Sequence, residues 1–110
     1  MQQQTTHAMT SIVDGDNVKA TASIHIINES SLESLHIVTV MIHRKVDNAI
    51  VTLSECHDNS IAAWDFFNAE LRLIHSMNEL KPDVFYGLTK HGRNWRQAEY
   101  QGGENVVLGN

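Results

Sequence analysis

Only one cysteine and one proline occur in this chain of 110 residues. Cys56 has no second cysteine to pair with, so no intrachain disulfide can form and oxidising surroundings are not required. No run of ~18 apolar residues is present either, which leaves nothing that reads as a membrane-spanning helix. Cations are scarce. Eight Lys and Arg stand against thirteen Asp and Glu, a net charge of −5 with a pI near 5.7. That balance disfavours general nucleic-acid binding, which draws its affinity from neutralised phosphates. Charged residues are also outnumbered by hydrophobic ones, 19% against 42%, and this excludes wholesale disorder. What remains is a single acidic domain with one modest core, expected in the cytoplasm.

Met1 to Ser11 carries Gln2-Gln3-Gln4 and Thr5-Thr6 but no basic residue and no apolar stretch, so it lacks the parts of a secretory signal. The expectation is a disordered leader over 1–11 followed by a domain over 12–110.

Asn17 to Ile27 alternates. Val18, Ala20, Ala22, Ile24 and Ile26 point one way, and Lys19, Thr21, Ser23 and His25 the other, which is the period of a half-buried strand. Asp14-Gly15-Asp16 reads as the turn that feeds it. Asn28 to Leu35 breaks the alternation, and Ser30 or Ser31 with Glu33 could cap a helix of one or two turns.

His36–Val46 and Ala49–Cys56 read as a hairpin around a two-residue turn at Asp47-Asn48. That turn sets Val46 against Ala49, Arg44 against Val51, Ile42 against Leu53 and Val40 against Glu55. One face then holds Val38, Val40, Ile42, Val51 and Leu53, the expected core side. The other holds Ile37, Thr39, Met41 and His43 with Ile50, Thr52, Ser54 and Cys56. Apart from Lys45 near the turn, this second face has no formal charge. A face that meets only water usually carries Lys, Glu or Arg, so partial cover of these residues by a loop, a ligand or another chain is expected.

Asp58-Asn59-Ser60 is a cluster of helix caps, and the period then changes. Ile61, Trp64, Phe67, Leu71, Ile74 and Met77 make one stripe, with Asp65, Glu70, Arg72 and Glu79 away from it. Lys81-Pro82 ends the helix. Val84–Leu88 is expected as a fourth strand and Trp95–Tyr100 as a fifth, with Gly102-Gly103 turning toward Val106-Val107-Leu108.

Few residues offer chemistry by spacing. Seven histidines are present, yet none has a histidine partner at a chelating spacing and no Cys-x-x-Cys exists, so no metal or cofactor is expected. Cys56-His57-Asp58 places a thiol, an imidazole and a carboxylate side by side, although triads are assembled in space rather than along the chain. Cys56 reads more simply as a strand end and Asp58 as a cap. Glu55, on the core-side register, is a weak candidate for a base. The one basic stretch offers Lys90, Arg93, Trp95 and Arg96 as an anion-binding loop.

The expected fold is α+β, an antiparallel sheet of four to five strands with one long helix across one face. A ferredoxin-like split β-α-β arrangement is the alternative. The expected function is a non-enzymatic protein-binding or regulatory module. It would be homodimeric through Ile37, Thr39, Met41, His43, Thr52, Ser54 and Cys56, and would also bind another protein. The alternative is a small-molecule or enzymatic pocket between sheet and helix, lined by Trp64, Phe67, Phe85 and Tyr86.

Overall fold

A computed structural model describes residues 4–28, 34–90 and 95–96. Its elements run β1 (Gln4–Asp14), β2 (Val18–Asn28), β3 (Ser34–Arg44), β4 (Ile50–His57), α1 (Ser60–Glu79) and α2 (Pro82–Thr89). The four strands form one antiparallel meander in the order β1-β2-β3-β4, and α1 packs across one face of it. This is an α+β domain with one principal helix.

Strand alternation decides which side chains meet the helix. Val18, Ala20, Ala22 and Ile24 of β2 are buried, as are Val38, Val40 and Ile42 of β3. Small alanines on β2 let α1 approach closely, and Ala63, Phe67, Ile74 and Met77 fill the space above the larger β3 residues. Asn59 caps α1, its Oδ1 accepting from Ile61 N at 2.8 Å and Ala62 N at 3.1 Å.

The far end of α1 is tied to the β1–β2 turn. Asn78 Oδ1 accepts from the backbone N–H groups of Asn17 and Val18 at 3.0 and 2.8 Å. Asn17 returns the favour from its own amide, donating to the carbonyls of Met77 and Leu80 at 2.7 and 2.9 Å. These are carbonyls that a helix C-terminus leaves without intrahelical partners. Gly15 belongs to the same junction because a Cβ there would overlap the Asn78 side chain.

Several expectations are corrected. Gln4–Asp14 is a strand, whereas 1–11 was expected outside the fold, because its backbone groups complete the free edge of β2. The β3–β4 register is displaced by two residues. Ile42 faces Val51, Val40 faces Leu53 and Val38 faces Glu55. The hairpin loop runs from Lys45 to Asn48, with Arg44 N–H bonded to Ala49 O at 2.7 Å and Asn48 left-handed at φ 62°. A slip of two preserves side-chain parity, so both face assignments survive it.

Val84–Leu88 is not a strand but lies in α2, which starts with Pro82 at its first turn and Asp83 beside it. The ferredoxin-like alternative fails because β2 and β3 are adjacent and antiparallel, leaving no crossover between them. Ile61 is 71% exposed rather than part of the helix stripe, while Glu70, expected on the wet side, is buried. The expected short helix falls mostly on 29–33, outside the described residues, and Ser34 and Leu35 belong to β3. Trp95 and Arg96 are helical rather than extended, and 97–110 lie outside the described residues.

Candidate functional site

The face of the sheet opposite α1 is made by side chains of all four strands. Strand register lays it out in rows. Asp14, Lys19, His43 and Ile50 form the row nearest the β1–β2 and β3–β4 loops. Next come Ile12-Thr21-Met41-Thr52, then Thr10-Ser23-Thr39-Ser54, then His7-His25-Ile37-Cys56. Thr5, Ile27 and Leu35 end the series. Among the described residues no helix or strand lies over these rows.

All seven expected face residues therefore share one side. Met41, Thr52, Ser54 and Cys56 are exposed, and Ile37, Thr39 and His43 are half-buried by their own neighbours. Strands β1 and β2 extend the face beyond the hairpin and add Ile12, which is 65% exposed in the same row as Met41 at 46%, with Thr21 between them. Thr39 and Ser54 hydroxyls bond to each other at 3.4 Å, and His43 Nε2 bonds Asn48 Oδ1 at 3.0 Å.

Among the described residues of this face, formal charge is confined to one end. Lys45 pairs with Asp14, and the hydrogen bond and charge of that ammonium hold the Asp14 carboxyl below its ordinary value. Beyond that row the described face is Thr, Ser, His, Ile, Leu, Met and Cys.

Arg44 organises a second cluster at the same end of the sheet, on the helix side. Its guanidinium is buried, donates to Asp47 through both Nε and Nη2, and donates through Nη1 to the carbonyl of Thr89. Its Cζ lies 5.6 Å from the Tyr86 ring centre and 5.3 Å from that of Trp95. The hydrogen bond from Arg44 pulls the Asp47 carboxyl below its usual range, and the Ala49 N–H adds to this.

Of the basic loop, Trp95 is core. It packs edge-on against Phe85 with centroids 6.1 Å apart and is only 3% exposed. Arg96 pairs with buried Glu70 on α1. Neither side chain is presented to an outside anion. Lys90 caps the end of α2 and is exposed, and Arg93 lies outside the described residues.

The four pocket residues are divided between two places. Trp64 and Phe67 stack edge-to-face at 5.6 Å on α1. Phe85 and Tyr86 instead line a cavity of about 340 Å³ with Val46, Pro82 and the two loops that carry Asp16 and Lys45. Neither His43 nor Glu55 belongs to that cavity. Glu55 is exposed and pairs with His57 Nε2 at 3.1 Å. Cys56 is exposed on the open face, while Glu55 and His57 turn to the other side of the strand.

Among the described residues, no three His, Cys, Asp or Glu side chains gather as a metal site, and no helix is long and apolar enough to cross a membrane. Sequence spacing did miss one pair. His7 and His25 stand side by side on the open face with ring centroids 5.2 Å apart, although eighteen positions separate them in the chain. Comparison with protein families, with characterised proteins and with solved structures finds no match to this chain.

Proposed function

We propose that this chain is a non-enzymatic protein-binding module that associates with a second copy of itself through the open face of its sheet. The observation that supports this is the row structure of that face. Ile12 and Met41 are exposed within one row, Ile50 is 60% exposed in the next, and formal charge is kept to the loop end. Strand and row spacings give such a face roughly 600 Å² of projected area before side-chain relief is counted. A standard interface takes about 800 Å² from each partner, so the face is of the right order for a dimer. Its Thr and Ser rows can exchange hydrogen bonds with the same rows of a copy, which satisfies polar groups as they leave water. The acidic remainder of the surface repels further copies and limits association to the uncharged patch.

Light scattering across a hundredfold dilution tests this. The expected result is a mass of two chains that falls to one chain for Met41→Lys and for Thr52→Lys, with the far-UV spectrum unchanged. A single-chain mass at every concentration overturns the reading and moves attention to the cavity beside Phe85 and Tyr86.

A further inference from the structure

We propose that His7 and His25 form a two-imidazole site for a divalent transition metal, with zinc as the type ion. Three observations meet at this pair. The first is a β-bulge. Between Met9 and Asp14 the odd residues of β1 face the helix side, so an unbroken strand would send His7 there too. The register shifts between His7 and Met9, and this one-residue irregularity turns His7 onto the open face directly across from His25. Bulges commonly serve to re-aim a side chain.

The second observation is distance. A zinc–nitrogen bond is about 2.0–2.1 Å, and a ring nitrogen lies ~1.1 Å from its ring centre, so two imidazoles at tetrahedral positions have centres ~5 Å apart. The measured separation is 5.2 Å, with the rings inclined at 60°. The separation of the ring centres matches that of two imidazoles on one ion.

The third is the support around the first ring. His7 Nε2 bonds Thr10 Oγ1 at 2.5 Å. In the tautomer in which Nε2 donates to Thr10, Nδ1 presents its lone pair in a fixed orientation, and metal-bound histidines are held this way. No Lys or Arg stands in this row or in the described rows on either side to repel a cation. In the single chain two protein ligands leave the remaining positions to water, so the ion there is exchangeable, unlike one in a closed four-ligand site. Imidazole ligation selects zinc, copper or nickel over calcium and magnesium.

The inference does not rest on the dimer. Calorimetric titration of the full chain with Zn²⁺ in a non-chelating buffer is expected to show one ion per chain. His7→Gln and His25→Gln should each weaken binding by at least about tenfold, since the loss of an outer partner alone costs 10–100-fold. Thr10→Val should weaken it by about tenfold through that lost partner. His75→Gln, exposed on α1 and away from the open face, should bind as wild type does. The proposal is overturned if the His7→Gln/His25→Gln double variant, with its circular dichroism unchanged, binds Zn²⁺ like wild type. It is equally overturned if the wild-type chain shows no saturable binding. Mass measured in the same samples reports on the dimer separately, whichever way the titration falls.

Discussion

The two faces of one sheet share a backbone and differ in what covers them. On the helix side Val18, Ile24, Val38, Val40 and Ile42 are fully buried under α1. On the other side Thr, Ser and His alternate with Ile12, Met41 and Ile50, which remain open among the described residues. Period-two alternation made both surfaces at once, yet only one of them holds the fold together. The same sheet can therefore commit one face to stability and leave the other available for association.

Substitution on each face gives the widest contrast. Phe67→Ala should cost about 3–5 kcal/mol of stability by removing a buried ring, whereas Met41→Ala should stay within about 0.5 kcal/mol. Urea denaturation of dilute protein measures both. Equal losses would mean that the open face is as covered as the core, and the contrast would break.

The helix side also contains a charge that its apolar character does not suggest. Glu70 is 1% exposed and depends on Arg96 for compensation. Arg96→Met should cost about 3–5 kcal/mol by leaving that carboxylate buried without its cation. The double variant Glu70→Met/Arg96→Met should recover much of the loss. A single variant that is harmless would show that the pair does not brace α1.

At the junction of turn and helix, Gly15→Ala should cost about 1–3 kcal/mol. The added methyl displaces the Asn78 side chain and strands the N–H groups of Asn17 and Val18. Thermal unfolding reads this, and an unchanged midpoint would show that the junction repacks freely.

The smallest effect concerns Asp47. Its carboxyl titrates below the ordinary 3.8 because Arg44 donates to it. A depressed folded-state value contributes stability above the unfolded value and loses it as pH falls through the folded one. Stability should therefore fall on acidification below about pH 4, and Asp47→Asn should flatten that part of the profile while leaving the open face untouched.

Much of the fold was legible. Alternation over Val18–Ile26 and Val38–Ile42 identified the core side, and the caps at Asp58-Asn59-Ser60 marked where α1 begins. Pro82 was read only as a stop, although proline followed by Asp83 also suits the first turn of a new helix, and α2 was missed for that reason. The hairpin register differs because the loop closes one step earlier, on the backbone bond from Arg44 N–H to Ala49 O, and Asp47 braces this wider loop by accepting from Arg44 and from the Ala49 N–H. The uncharged face could be read from the hairpin alone, but its extension through Ile12 and His7 could not. A polar segment such as Thr5–Thr10 shows little strand signal until a neighbouring edge offers it hydrogen bonds.

By itself, then, the chain determined its period, its caps and which residues of β2 and β3 would leave water, because these depend on side-chain chemistry at short range. Only tertiary structure decided that β1 would complete the sheet, that Glu70 would meet Arg96 inside, and that a bulge would turn His7 toward His25. Those outcomes depend on residues distant in sequence, whose attraction exists only once the sheet has brought them within a few ångströms of each other.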